Sequence, residues 1–321
     1  TKLRKFMKDN TIKSFKNSKV LILGGSGFLG SNLIQALKNI AGHIYSIQKN
    51  YIPNNNLDQN ISYIYIDMSN AKKLDKAIKS IMPDYVFNVS GYIDHSPFYK
   101  GGYEVIKNQY LETMNLLDSL NGINIKSYIH TGSSDEYGLD FSPQVENRRE
   151  SPMTPYSASK VAVNHMLQAI SKSDNFPSVI LRLFIVYGPH QSKGRLIPDV
   201  ITNLLSEKEI NISSGKQKRD FCFVDDIVDA FLLAANSKEA IGNILNLGSG
   251  ESIEVKELVQ KIESKIGLGK VIYGGRDIRA NENLDLYPDI TYAKKVLEWH
   301  PSTNIEDGLD KTINYYRKII N

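Results

Sequence analysis

KVLILGGSGFLGSNL, residues 19–33, sets a four-residue apolar run, VLIL, against a glycine-rich turn and then a helical pattern. The glycines fall as G-x-x-G-x-x-G at Gly24, Gly27 and Gly30. Glycine is required where a backbone turns tightly, comes close to a pyrophosphate, or packs helix against strand. A helix that starts there aims free N–H groups and its positive dipole end at phosphate. In this strand–turn–helix setting the pattern predicts a dinucleotide site.

The same alternation continues outward. KVLIL (19–23), HIYSI (43–47), SYIYI (62–66), DYVFNV (84–89), KSYIHT (126–131) and SVILRLF (178–184) read as strands. FLGSNLIQALKNI, AKKLDKAIKSI and EVIKNQYLETMNLLDSL carry apolar residues at helical spacing between them. Strand and helix in turn predict an α/β fold, a Rossmann-type doubly wound parallel sheet. The near-continuous apolar strands fit burial on both faces. After about residue 188 the rhythm loosens, which predicts a smaller, interleaved C-terminal substrate domain. We divide the chain into a basic N-terminal arm (1–18), a dinucleotide-binding domain (19–188 plus 221–248) and a nucleotide-sugar-binding domain (189–220 plus 249–321).

Composition bounds the remaining choices. The 321 residues are 41% hydrophobic and 23% charged, enough apolar material for a core, with a mild net charge of +4. Lys and Arg crowd the first nineteen residues, TKLRKFMKDNTIKSFKNSK, which reads as a solvated helix or tail; no nucleic-acid partner is expected. No run of about eighteen apolar residues is present, so no membrane span is expected. Cys222 is the only cysteine, which excludes an intrachain disulfide and zinc-type cysteine clusters and fits a reducing cytoplasm. The six histidines show no metal-ligand spacing, and no metal site is expected.

The second strand ends SIQKN, where a NAD site usually places an acid for the ribose hydroxyls. Here stand Gln48, Lys49 and Asn50. Lys49 can pair with a 2′-phosphate, which favours NADP, with NAD possible; otherwise it is an exposed loop lysine. Asp67, closing the third strand in IDMS, is placed either to accept from the adenine amine or to cap the helix that starts near Ala71.

GGSGFLG, IDMS, TGSSDEYG, TPYSASK, LRLFIVYGP, RDFCFVDDIVDA, ILNLGSG and LEWHPSTNIEDGL recur in one order from about residue 19 to the C-terminus. Together they resemble the extended short-chain dehydrogenases/reductases, the NAD-dependent epimerase/dehydratase family of nucleotide-sugar-modifying enzymes. Within it, GSSDEYG most resembles GDP-6-deoxy-4-keto-hexose reductases. The resemblance implies cofactor contacts at Gly24, Gly27, Phe28, Leu29, Gly30, Lys49, Asp67, Met68, Ser90, Tyr156 and Lys160.

It also gives TPYSASK a chemistry. Tyr156 would be the general acid/base and Lys160, one turn along the same helical face, would lower its pKa and hold the nicotinamide ribose. Ser133 occupies the slot of the family's catalytic Ser/Thr. In the family's 4,6-dehydratases a glutamate in the Asp135 slot takes the C5 proton, and some carry an aspartate in the slot of Ser134. Asp135 is one methylene shorter and Ser134 is no acid, which weakens dehydration. Ser134, Arg195 in GRLIPDVI, Arg219 and Arg279 are expected to meet the nucleotide-sugar substrate, because forked arginine donors suit a pyrophosphate. Ile185 and Asn88 depart from the family's common asparagine and histidine. The expected reaction is reduction of an NDP-4-keto-6-deoxy-hexose at C4. The rivals are an NDP-sugar 4-epimerase, a 4,6-dehydratase and a non-catalytic dinucleotide-binding scaffold. Helices near 102–120 and 155–171 are expected to build a homodimer, as in relatives.

Overall fold

The computed structural model describes residues 9–50, 58–91, 93–277 and 283–320. Helix α1 (Asp9–Phe15) precedes strand β1 (Lys19–Leu23). There follow α2 (Phe28–Leu37), β2 (His43–Gln48), β3 (Ile61–Tyr65), α3 (Ala71–Ile81) and β4 (Tyr85–Asn88). Then come α4 (Gly102–Leu120), β5 (Ser127–Ser133), α5 (Pro155–Ser173) and β6 (Ser178–Leu183). Beyond β7 (Ile185–Tyr187) and α6 (Leu196–Leu205) the strands shorten: β8 (Glu209–Ile212), β9 (Lys218–Arg219) and β10 (Phe221–Phe223). The chain continues with α7 (Val224–Ala234), β11 (Ile244–Leu247), β12 (Ile253–Glu254), α8 (Val255–Ile266), β13 (Lys270–Tyr273) and β14 (Asp285–Leu286), and ends in α9 (Thr291–Leu297) and α10 (Ile305–Ile320).

Seven parallel strands make the main sheet in the order β11-β6-β5-β4-β1-β2-β3. Alternate β1 side chains enter two cores. Val20 and Ile22 join Leu33, Ile34 and Phe87 on one face; Leu21 and Leu23 join Ile47, Leu74, Val86 and Leu116 on the other. This double burial explains why the strands read as apolar runs rather than as an alternation. From β1 the chain builds outward through β2 to β3, then crosses back to β4 on the opposite side. The strand order therefore reverses between β1 and β4, where open α/β sheets place their ligands.

The last third returns only α7 and β11 to this frame. Its other strands form small pairings, β8 with β13, β9 with both β12 and β14, and β7 with β10. Trp299 Nε1 donates to the Asp226 carbonyl at 2.9 Å and ties the C-terminal loop to α7.

Two local readings are corrected. The basic arm is not wholly solvated: its residues 9–15 form α1, and Phe15 is fully buried against Tyr85, with ring centroids 4.7 Å apart, and Phe87. An aromatic ring among basic residues is enough to dock the segment. The cap of α3 is Asn70, whose side chain accepts from the Lys73 amide, and not Asp67. No described helix is long and apolar enough to cross a membrane.

Candidate active site

The glycine turn opens the site. Gly24 has φ +84°, and a Cβ there would come within 2.9 Å of Ser90 Cα. Its backbone thus touches the loop after β4, across the strand-order reversal. A Cβ on Gly30 would collide with the Gly24 carbonyl, so that position allows α2 to seat on the turn. Gly27 is the N-cap of α2 and supplies no side-chain cap. The first-turn N–H groups at Phe28 and Leu29 lack intrahelical acceptors, as at any helix start. Bare glycine backbone and unspent donors fit the pyrophosphate of a dinucleotide. Asn88 fixes the opposite wall, accepting from the Ser90 hydroxyl at 2.6 Å while donating to the Tyr128 hydroxyl at 3.0 Å.

At the end of β2, Gln48 is buried and accepts from Ser46 Oγ at 3.2 Å. Lys49 Nζ lies 2.7 Å from Asp67 Oδ2. Lys49, with the Ser69 hydroxyl and amide, holds the Asp67 carboxyl down at about 2. Met68 is buried, and its carbonyl accepts from Asn115 of α4 at 2.9 Å. Glu112 of α4 is pushed above the usual carboxylate range by burial and by the Asp67 charge.

TPYSASK starts α5 by a sequence-local device. The Thr154 hydroxyl accepts from the Ser157 amide, the Ser157 hydroxyl accepts from the Thr154 amide at 3.0 Å, and Pro155 fills the first turn. Tyr156 and Lys160 then face the sheet, 5% and 6% exposed. Lys160 Nζ donates to the Thr131 carbonyl of β5 at 2.9 Å and stands 5.9 Å from the Tyr156 ring centroid. Burial drops the lysine to about 8. Burial first, and the Asp135 charge second, push the phenol above its ordinary range, with the Ser133 hydroxyl pulling the other way. Tyr156 rests as a neutral proton donor.

Ser133 ends β5 and caps the short turn Ser134–Tyr137. Its hydroxyl accepts from the Asp135 amide at 3.2 Å, and Glu136 Oε1 accepts from the Ser133 amide at 2.7 Å. Glu136 is fully buried and bridged by Arg182 of β6, with Nε and one terminal nitrogen 2.8 and 2.7 Å from Oε2. Arg182 also reaches Glu150 at 3.0 Å, and Asn164 of α5 donates to Glu136 at 2.8 Å. So of the acidic pair, Glu136 is turned inward as a brace, and Asp135 is partly open, its side chain 34% exposed.

The structure adds residues that the sequence left unmarked. His95 Nε2 is 3.7 Å from Asp135 Oδ2, and its ring meets Tyr156 edge-on at 5.7 Å between centroids. His130 is buried behind Lys160, with no hydrogen-bond partner for either ring nitrogen among the described residues; burial and the Lys160 charge keep it neutral. It shares a small polar cavity with Asn88, Ser90, Gln109, Thr113 and Lys160. The one signal for His95 was its place just past the C-terminal end of a strand at the order reversal.

On the substrate side Ser134 is buried beside Ser133. Arg195, exposed, is the N-cap residue of α6, and its charge is felt at Tyr156. Arg219 is buried in β9 and donates to the Lys218 carbonyl at 2.7 Å. Arg279 lies outside the described residues. Asp220 joins RDF to LGSG by accepting from the Ser249 and Gly250 amides at 2.8 and 2.7 Å. Among the described residues no group of three or more His, Cys, Asp or Glu could hold a metal ion.

A glycine turn at a parallel-sheet switch point, with a serine, a tyrosine and a lysine across it, defines a nicotinamide-dependent enzyme of the extended short-chain dehydrogenase/reductase type. The chain belongs to the NAD dependent epimerase/dehydratase family, whose pattern matches residues 20–248. It is 28% identical over 311 residues to a putative UDP-glucose 4-epimerase of Methanocaldococcus jannaschii, covering 93% of this chain and 98% of that one. It is 28% identical over 319 residues to the dTDP-D-glucose 4,6-dehydratase of Mus musculus, covering 94% and 89%. The UDP-glucuronic acid 4-epimerase of Bacillus cereus, solved with UDP-glucuronic acid and NAD, superposes with a TM-score of 0.84 at 26% identity, covering 94% and 99%.

Proposed function

We propose that this enzyme reduces an NDP-4-keto-6-deoxy-hexose at C4. The observation that carries the reading is the placement of Tyr156 within hydrogen-bond reach of the Ser133 hydroxyl and one helical turn from Lys160, a phenol set where a sugar oxygen would meet it. Reduction of a ketone turns O4 into an alkoxide that must take a proton, and a neutral phenol at that oxygen is its donor. A nicotinamide bound across the glycine turn supplies the hydride. Gly24, Gly27, Phe28, Leu29, Gly30, Met68 and Ser90 are the residues we assign to holding that cofactor, with Lys160 on its ribose. Ser133 hydrogen-bonds O4, and Ser134, Arg195, Arg219 and Arg279 are assigned to the nucleotide sugar.

Residues 19–188 with 221–248 are assigned to the dinucleotide, and 189–220 with 249–321 to the sugar nucleotide. NADP is the proposed coenzyme through Lys49, whose bridge to Asp67 a 2′-phosphate must displace or share. A homodimer through α4 and α5 completes the proposal.

The test is incubation with a panel of UDP-, dTDP- and GDP-4-keto-6-deoxy-hexoses and NADPH or NADH. One reduced cofactor should disappear per sugar reduced, with the product resolved by mass and NMR. The second reading, 4-epimerisation, is favoured by the names of the relatives. It takes over if the protein purifies with near-stoichiometric NAD and interconverts C4 epimers with none added.

A further inference from the structure

Two acids stand at the end of the sheet where β2 and β3 stop, and they are engaged very differently. Asp67 Oδ1 accepts from the Ser69 amide at 3.0 Å and from the Ser69 hydroxyl at 2.7 Å, while Oδ2 holds Lys49 Nζ at 2.7 Å. A carboxylate oxygen has two lone pairs, so Oδ1 is filled and Oδ2 is committed to an ammonium. An adenine amine directed at Asp67 must displace Lys49 or crowd in beside it. Glu112 is the other acid. Asn115, three residues along α4, donates to the Met68 and Ser69 carbonyls at 2.9 and 3.4 Å and seats this stretch of helix on the loop that carries Asp67. Residues three apart share a helical face, and Glu112 lines a polar cavity with Ser90 and Gly91 of the loop after β4. Glu112 is partly buried and feels the Asp67 charge, yet it makes no hydrogen bond or ion pair among the described residues. Lys160, on the far side of the cavity, donates to the Thr131 carbonyl. A partly buried carboxyl that has no donor and faces a second carboxylate is unfavourable, and a hydrogen-bond donor brought to it relieves it.

We propose that Glu112 is the acceptor for the exocyclic amine of the coenzyme's adenine, and so a specificity-determining residue for that base, while Asp67 serves as the anchor of Lys49. This rests on the assignment of the glycine turn to a nicotinamide dinucleotide, and not on which sugar reaction follows. The two acids thereby divide the adenosine half between them: Asp67 holds the lysine proposed for the 2′-phosphate, and Glu112 reads the base. An ionised carboxylate offers only acceptors, and the amine offers only hydrogens. A base with an oxygen at the same carbon brings a second acceptor to Glu112 and leaves both unpaired. A site built to receive an N–H rejects an analogue that lacks it for this reason.

The experiment titrates the whole chain with NADPH and NADH and with their hypoxanthine counterparts, in which an oxygen replaces the adenine amine, and follows nicotinamide fluorescence. The wild-type protein should bind the adenine forms about tenfold more tightly, the scale of one hydrogen bond to a charged group. Glu112→Ala, at an unchanged melting temperature, should weaken the adenine forms about tenfold and leave the hypoxanthine forms nearly as they were, so that the preference disappears. Glu112→Gln keeps a carbonyl acceptor and should retain part of the preference. A glutamate that only shaped α4 would shift both bases alike. Asp67→Asn should alter the ratio of NADPH to NADH affinity through Lys49 and leave the preference for adenine in place. The inference is overturned if the wild-type protein binds both bases equally, if Glu112→Ala keeps the preference or weakens both bases alike, or if Asp67→Asn is the change that removes it. If none of the four dinucleotides binds, the coenzyme assignment falls with it. Failure of the sugar panel to be reduced would overturn the reductase reading and leave these binding results standing.

Discussion

Lys160 shows how one residue can work against the fold that carries it. Its ammonium is buried and titrates near 8 in the folded chain against 10.5 when free. The unfolded chain therefore binds the extra proton between those values, so this group makes stability rise with pH from about 8 to about 10.5. Below that window its charge is a constant cost. Lys160→Met should raise the stability of the cofactor-free protein by about 1–3 kcal/mol at neutral pH while suppressing turnover. Urea unfolding and an NADPH assay read the two halves. Tyr156→Phe should cost at least about a hundredfold in turnover with cofactor affinity held, as fluorescence titration of NADPH would report. Lys49→Ala should weaken NADPH by about 1–3 kcal/mol and leave NADH nearly unchanged; equal effects would make Lys49 only the partner of Asp67. Tyr156 and Lys160 were legible because four-residue spacing is a helical face and a motif surrounds it. His95 was not, because its relation to Asp135 is made by neighbouring strand ends 40 residues apart in sequence.

At the scale of elements, the turn that carries Ser133 and Asp135 depends on a charge the solvent never meets. Glu136 accepts from the Ser133 amide and is neutralised by Arg182 on the next strand. Removing one member of such a pair leaves the other buried and uncompensated. Arg182→Met should destabilise the protein by about 3–5 kcal/mol, seen as a lower urea midpoint, and should blunt activity through Ser133. Asp135 and Glu136 are adjacent in sequence, and it is the β5–β6 register, setting Gly132 beside Arg182, that turns Glu136 inward and leaves Asp135 partly open. Helix α3 shows the opposite case. Its range coincides with AKKLDKAIKSI because apolar residues at helical spacing and an Asn cap are local signals.

Across the whole molecule, the parallel sheet was readable because β1, β4, β5 and β6 are runs of mostly buried residues and helices α2, α3, α4 and α5 lie between successive strands. The C-terminal third was less so. Strands of two to four residues pair there with distant segments, β9 taking partners on both sides from β12 and β14, and no short window contains both halves of such a pair. The proposed homodimer belongs to this scale. Helix α4 leaves Tyr103, Tyr110 and Leu111 substantially exposed, a face suited to a second copy. Leu111→Glu should shift the protein from dimer to monomer in sedimentation velocity; a wild-type protein that already sediments as a monomer would remove the dimer from the proposal.

Phe15 has a practical side. The first strand begins at Lys19, and the glycine motif invites trimming the chain to that point. Such a shortened protein would lack the ring that lies against Tyr85 and Phe87, at a cost of about 3–5 kcal/mol if the effect matches that of emptying an aromatic site in a core. A truncated version that precipitates or melts early would then say nothing about the catalytic residues. Activity measurements on this enzyme should keep the residues ahead of the first strand.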